Sequence, residues 1–256
     1  MKYIVLIPAR YESTRFPGKP LAKICGEEMI VRVCRQVAKT GLPLAVATDN
    51  ELIRETVEKA GFRAVMTAST HRSGTERVEE AYRNLGEEAD VIINVQGDEP
   101  FIDPEQIKLL AGIFSGNPDT EIATLARPFD PAAGFEALEN PNLVKLVKSE
   151  EGRALYFSRS VIPYVRREPK EKWLETTSFF SHIGIYAYRA TTLSEIVRLP
   201  ESPLEAAESL EQLRWLQDGR TIRVAVSDHI TVGIDTPEDL AEAERYLSQR
   251  QKAQEC

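Results

Sequence analysis

No stretch of this chain approaches the roughly 20 consecutive apolar residues that a membrane-spanning helix needs, and Met1-Lys-Tyr passes straight into strand-like sequence with no signal peptide. Cysteine is scarce: Cys25, Cys34 and Cys256 are odd in number and lack metal-ligand spacing, which fits a reduced, cytoplasmic setting. A basic excess is missing too. With 32 basic residues against 40 acidic ones, the formal charge is −8, which argues against a general nucleic-acid binder or a membrane-surface protein. No internal repeat or low-complexity segment is visible. The 256 residues, 42% of them hydrophobic, fit one large α/β domain or one domain with an insertion.

Strand and helix patterns alternate along the first half of the chain. The apolar run from Tyr3 to Ile7 reads as a buried strand ended by Pro8. Helical periodicity follows over Glu28–Thr40, with Ile30, Val33, Cys34 and Val37 on one side. Leu44–Ala47 is a second strand, and Thr48-Asp49-Asn50 is a helix-start signal for Glu51–Ala60. Phe62–Met66 and Val91–Val95 are further strands flanking a helix over Thr75–Leu85. This rhythm implies a mainly parallel sheet with helices on both faces. After about residue 127 it breaks into prolines, charges and short strands such as Leu143–Lys148. Ser181–Arg189 and Thr221–Val226 return as strands, with helices expected over Glu205–Asp218 and Pro237–Gln249. The expected division is a core of 1–127 and 190–256, with an excursion over 128–189 that supplies a second-substrate pocket, a dimer contact, or both.

Chemistry concentrates where strands end. The loop after the first strand carries Arg10, Arg15 and Lys19 among small hydroxyl residues, a glycine and prolines. Three cations on such a loop suit an anion, above all a polyphosphate. Asn94-Val-Gln-Gly-Asp-Glu-Pro100 ends another strand, with Asp98 and Glu99 presenting carboxylates at that edge. They suit a hard divalent cation beside phosphate oxygens, or equally a capped turn before the helix at Pro104. Asp235 in Gly233-Ile-Asp-Thr-Pro-Glu-Asp239 ends a third strand; a plain N-cap at Asp235 or Thr236 also explains this pattern. His71-Arg-Ser-Gly-Thr-Glu-Arg77 opens a helix and offers hydroxyls, backbone N–H groups and a guanidinium, fit to read a base edge or simply to cap the helix through Ser73 or Thr75.

In this order and spacing the segments resemble the 3-deoxy-manno-octulosonate (Kdo) cytidylyltransferase family. The matching stretches are Ile7-Pro-Ala-Arg10 with Ser13-Thr-Arg15 and Pro17-Gly-Lys-Pro-Leu21, then Ser73-Gly-Thr-Glu-Arg77, Asn94–Pro100 and Gly233–Asp239. Asn140-Pro-Asn-Leu-Val-Lys145, Ala154-Leu-Tyr-Phe-Ser-Arg159, His182-Ile-Gly-Ile-Tyr186, and Ser202-Pro-Leu-Glu with Leu210-Glu-Gln-Leu213 extend the match. The first motif is shared by several sugar nucleotidylyltransferases; the later set is more specific to the Kdo enzymes.

The resemblance implies a Rossmann-like nucleotidyltransferase fold and transfer of the cytidylyl group of CTP to Kdo, for lipopolysaccharide biosynthesis. It implies a homodimer, and a sugar-binding and dimerisation role for the inserted region. Arg10, Arg15 and Lys19 would grip the triphosphate with Ala9 and Ser13, while Arg72 and Ser73 would lie near the cytosine. At position 72 similar enzymes often carry a different polar residue. Asp98 and Asp235 would share a Mg²⁺ ion. Gln96 would stand between nucleotide and sugar; Arg159, His182, Tyr186, Glu211 and Gln212 would form the sugar pocket. Arg159 suits a bidentate carboxylate clamp and also a structural ion pair; His182 suits a ligand and also a hydrogen-bonded strand histidine. A related enzyme for an 8-amino or sialic-type sugar acid, and a non-catalytic nucleotide-binding regulator, are the alternatives.

Overall fold

The computed structural model describes residues 1–12, 16–229, 233–234, 236, 238–241 and 243–245. Ser13, Arg15 and Asp235 therefore lie outside the described residues. The chain divides into two compact units, Met1–Lys108 with Ile230–Cys256, and Leu109–His229.

The first unit contains β1 (Tyr3–Ala9), β2 (Lys23–Ile24), β3 (Glu27–Glu28), α1 (Met29–Ala38), β4 (Leu44–Thr48), α2 (Glu51–Lys59), β5 (Ala64–Met66), α3 (Gly74–Leu85) and β6 (Val91–Asn94). The order β6-β1-β4-β5 is parallel throughout. Val5, Leu6 and Ile7 of β1, Val46 of β4 and Ile92 and Ile93 of β6 are fully buried, as expected of a parallel sheet covered on both faces. α2 starts where Asn50 accepts hydrogen bonds from the N–H groups of Leu52 and Ile53, the cap that Thr48-Asp49-Asn50 announces.

Pro8 does not end the first strand: β1 runs on to Ala9, with Pro8 opposite Ala47 and Ala9 opposite Thr48. Val5 N–H donates to Pro43 O, so odd-numbered N–H groups of β1 serve the β4 side. The missing N–H of Pro8 falls on the other side, where pairing with β6 stops at Leu6 and Asn94. No ladder bond is lost there. Ala9 and its neighbours are thereby carried beyond the end of β6.

Helix α4 (Pro104–Gly116) contains the boundary between the units. The second unit has β7 (Ile122–Pro128), α5 (Phe135–Glu139), β8 (Lys145–Lys148), β9 (Ala154–Ser158), α6 (Trp173–Thr176), β10 (Phe180–Arg189), α7 (Ala190–Ile196), α8 (Pro203–Glu208), α9 (Gln212–Gln217) and β11 (Ile222–Val226). Here β11 is parallel to β7, β10 runs antiparallel to β7, and β8 and β9 continue antiparallel from β10. The expected excursion over 128–189 lies wholly inside this unit. The unit is larger than the excursion because β7 forms its ladders with β10 and β11.

The single helix expected over Glu205–Asp218 is two helices. Ser202 and Glu205 form a reciprocal capping box at the start of α8, and Ser209, with φ +50°, turns the chain before α9. The α/β architecture with a mainly parallel sheet flanked by helices is present, and among the described residues no helix is long and apolar enough to cross a membrane.

Candidate functional site

A cavity of about 280 Å³ opens in the first unit, lined by Pro8, Ala9, Arg10, Lys19, Pro20, His71, Arg72, Ser73, Gly74, Arg77, Gln96, Gly97 and Asp98. It lies where β1 and β6 end and α3 begins, the carboxyl edge at which open α/β sheets bind ligands. Ala9, Arg10, Lys19, Arg72, Ser73, Gln96 and Asp98, expected at the nucleotide from the sequence, all line it. Those motifs are thus brought together from positions far apart in the chain.

Gly18, with φ +69°, turns the loop into a short 3₁₀ turn over Lys19–Leu21. Lys19 Nζ then reaches Asp98 Oδ2 at 2.6 Å, a close ion pair with both partners part-buried. Gly97 allows the second strand end to approach. A Cβ built there would stand 2.7 Å from Pro8 O, closer than any real side-chain carbon comes. A side chain at 97 would push the Asp98 loop off the Pro8–Arg10 segment.

Glu99 departs from the expected pair of edge carboxylates. Its Oε2 is buried with no hydrogen-bond partner among the described residues. Burial, with the charge of Asp98 adding to it, pushes the Glu99 pKa up to about 8. Asp98 alone of the two lines the cavity. Asp98 also accepts, through its backbone carbonyl, a 3.0 Å hydrogen bond from Ile234 N–H. The residue preceding Asp235 is thereby fastened to the Asp98 backbone. Thr236 and Asp239 exchange capping bonds, Thr236 N–H to Asp239 Oδ2 at 2.9 Å and Asp239 N–H to Thr236 Oγ1 at 3.2 Å. The cap considered for this segment is therefore Thr236.

The loop from residue 67 to 74, whose last four residues line the cavity, is held by α3. Ser73 is the N-cap and accepts from Glu76 N–H, so the capping alternative for this loop holds and coexists with its place on the cavity. Arg77 is buried. It donates to Thr67 Oγ1 at 2.7 Å, to Ala68 O at 3.3 Å and to Asp49 Oδ2 at 2.7 Å, tying α3 to the end of β4 and the following loops. Glu80 takes the Ala68 N–H and meets His71 Nε2. Partial burial opposes ionisation of Glu80, yet the Ala68 N–H and His71 hold its pKa below the usual carboxylate range. His71, Gly74 and Arg77 lay in the motif the sequence singled out, without a cavity role assigned. Asn94 was missed: buried at the end of β6, its Oδ1 accepts from Gln96 Nε2 at 3.3 Å and leaves Oε1 as the other end of that amide.

Of the expected sugar-binding residues, Gln96 belongs to the first unit and the rest to the second. Among the described residues Arg159 makes no ion pair of the expected kind; it donates to three backbone carbonyls, Nε to Glu208 at 2.6 Å, Nη1 to Pro141 at 2.9 Å and Nη2 to Ser209 at 3.2 Å. It thus caps the last carbonyls of α8, and two of the five N–H groups of a guanidinium stand outside these bonds. Glu208 answers by accepting from Ser158 Oγ and Arg159 N–H. Buried Lys145 donates to the carbonyls of Asn140 and Arg159. Of these two supporting residues, Lys145 carried only a motif match in the sequence, and Glu208 fell between two matching stretches.

His182 and Tyr186 sit on β10 around a bulge. Pairing with β7 runs from Ile183 opposite Leu125 directly to Tyr186 opposite Thr124, so Gly184 and Ile185 are extra residues. Thr124 Oγ1 donates to Ile185 O at 2.8 Å and meets His182 Nε2 at 2.9 Å. A hydroxyl that spends its proton on the bulge carbonyl accepts from the imidazole, so His182 carries its proton on Nε2. Burial pushes its pKa down to about 3. The strand-histidine alternative is therefore realised, with Nδ1 left as an acceptor. The His182 and Tyr186 rings lie 5.3 Å apart, and Tyr186 meets Trp215 edge-on at 5.2 Å. Tyr186 is held well above the usual phenol range by burial, then by the neighbouring Tyr188 and Glu211. Glu211 accepts from Arg214 Nη2 at 2.9 Å at the start of α9, with Gln212 buried beside it.

Comparison with known proteins points to one family. A family model described as cytidylyltransferase matches residues 4–222. The chain is similar to a 3-deoxy-manno-octulosonate cytidylyltransferase of Phocaeicola vulgatus, 53% identical over 251 residues that cover 98% of this chain and 99% of the relative. One of the same name from Parabacteroides distasonis is 52% identical, covering 98% and 100% of the two chains. A solved structure of CMP:2-keto-3-deoxy-manno-octonic acid synthetase complexed with CTP superposes with a TM-score of 0.89 at 39% identity, covering 98% of this chain and all of that one.

Proposed function

We propose that this chain, which belongs to the 3-deoxy-manno-octulosonate cytidylyltransferases, transfers the cytidylyl group of CTP to the anomeric hydroxyl of Kdo, giving CMP-Kdo and pyrophosphate. The observation that carries this reading is the cavity in which Arg10, Lys19 and Asp98 meet the helix-opening loop of His71–Gly74. In the reaction the hydroxyl oxygen bonds to the α-phosphorus, the bond from that phosphorus to the pyrophosphate oxygen breaks, and the hydroxyl proton is released.

The physical difficulty is the meeting of two anions, the triphosphate and a sugar bearing a carboxylate. Arg10 and Lys19 supply fixed positive charge along the triphosphate, with Arg15 as a third cation by resemblance. Preorganised cations of this kind stabilise charge as it moves onto the leaving group. Lys19 is oriented for that task by Asp98, which holds the ammonium at the end of β6. Ser73, at the N-terminus of α3, and Arg72 border the base.

A Mg²⁺ ion is part of this proposal. Asp98 fits it as a part-exposed carboxylate on the cavity wall, and the Ile234 bond fastens the residue next to Asp235 to the same loop. Asp98 and Asp235 would hold the ion. When bound, the metal screens the two anions and lowers the pKa of the attacking hydroxyl. In the second unit, Arg159, His182, Tyr186, Glu211 and Gln212 would recognise the sugar acid. We place the enzyme in the cytoplasm as a homodimer.

The deciding experiment is pyrophosphate release from CTP and Mg²⁺ with a panel of sugar acids. Release with Kdo is expected. Release only with an 8-amino or sialic-type acid would replace the substrate and keep the chemistry; binding of CTP with no release for any acid would favour a regulator.

A further inference from the structure

We infer that Glu76 is a positioning residue for the nucleotide, acting by fixing Arg72 in the cavity wall. The inference rests on the proposed function for the identity of the ligand. One carboxylate makes three hydrogen bonds to one residue: Glu76 Oε2 accepts from Arg72 N–H at 2.9 Å, and Oε1 accepts from Arg72 Nε at 3.1 Å and Nη2 at 2.8 Å. In an ordinary capping box the third helical residue reaches back to the N-cap. Here Ser73 is the cap and Glu76 the third helical residue, yet the carboxylate reaches one residue further, into the loop that borders the cavity.

The consequence for the wall is geometric. The Arg72 side chain is 69% exposed, and the carboxylate that holds it is itself only 15% exposed. Holding the peptide N–H of Arg72 sets the plane of the His71–Arg72 peptide, and a trans peptide turns its carbonyl to the opposite side. Main chain and guanidinium are thus set together by one group. Glu80 adds a second strap at Ala68 N–H and His71. Glu76 itself is not among the residues lining the cavity, so its action on a ligand passes through Arg72 and the loop.

The test is steady-state kinetics of full-length wild type, E76Q and E76A with CTP and Kdo, alongside thermal melting. Loss of charged hydrogen bonds of this strength predicts a KM for CTP about tenfold higher in E76A, with kcat changed by less than about twofold. E76Q keeps an oxygen for the Arg72 N–H and loses the charge facing the guanidinium, so its KM rises by only about threefold. A wild type that releases no pyrophosphate would refute the proposed function. An active wild type with E76A at unchanged KM, or with kcat falling and KM steady, would refute the positioning role. Should E76A fail to fold, the KM of E76Q alone decides: a rise supports the role and an unchanged value overturns it.

Discussion

Lys19 Nζ lies 2.6 Å from Asp98 Oδ2, although 79 residues separate them in the chain. The first sits on the loop after β1, the second on the loop after β6, and the two strands are neighbours in parallel register. Parallel neighbours end on the same edge, so each strand delivers its loop to the same place. The cation proposed for the phosphates and the carboxylate proposed for a metal are thereby held against each other.

Lys19→Met removes the ammonium while keeping much of the side-chain length. A fall in kcat of about 10²–10³ is expected, the range seen when one preorganised charge-stabilising donor is lost. Pyrophosphate release under saturating CTP measures it. A kcat within experimental error of wild type would remove Lys19 from the reaction.

Asp98→Ala and Asp235→Ala should each abolish turnover and leave CTP affinity less affected, and chelation of Mg²⁺ should do the same to the wild type. Equilibrium binding of CTP beside the release assay separates the two effects. Normal rates in either variant would exclude that carboxylate from a metal site.

Gly97→Ala sets a methyl group against Pro8 O, where the gap is 2.7 Å. Neither atom is the flexible end of a side chain, so the strand ends must part. A loss of about 1–3 kcal/mol in urea unfolding is expected, with reduced activity from a displaced Asp98.

Arg77→Ala leaves the Asp49 carboxylate, 14% exposed, without the guanidinium 2.7 Å away. Breaking a buried pair on one side costs about 3–5 kcal/mol, which chemical denaturation will register. Asp49→Asn, which keeps an acceptor, should cost less.

His182 has a folded pKa near 3 against the ordinary 6.5. Between those values the unfolded chain binds a proton that the folded chain does not. Stability therefore falls as the pH is lowered from about 6.5 toward 3, by at most about 1.4 kcal/mol per pH unit from this residue. His182→Gln should flatten that slope in pH-dependent unfolding. An unchanged slope would mean that His182 titrates normally in the fold.

Much of the first unit was legible because its signals are local. Asn50 and Ser73 cap the helices that their sequence context announces, and the apolar runs of β1, β4 and β6 read directly as buried strands. Pro8 misled: its effect depends on which neighbour the missing N–H would have faced, and that is a property of the sheet. The break at Ser209 was hidden because Glu205–Asp218 carries helical residues throughout, and the left-handed turn there involves no glycine.

The candidate cavity shows the same division. The kinds of group at the site, cations after one strand and a carboxylate after another, were set by composition and spacing near strand ends. Their roles were not. Asp98 and Glu99 are adjacent and chemically alike, yet one lines the cavity and the other has a buried oxygen and a pKa near 8. Arg159 reads in sequence as a clamp or an ion pair and in the fold caps three carbonyls.

The amino-acid sequence by itself determined the strand–helix order, the helix caps and the inventory of charged groups, since each depends on neighbours within a few residues. Only the tertiary structure decided which carboxylate meets the cavity, that Lys19 pairs with Asp98, and that His182 stays neutral. Those outcomes depend on desolvation and on distances between segments far apart in the chain, and both exist only once the sheet has aligned its strand ends.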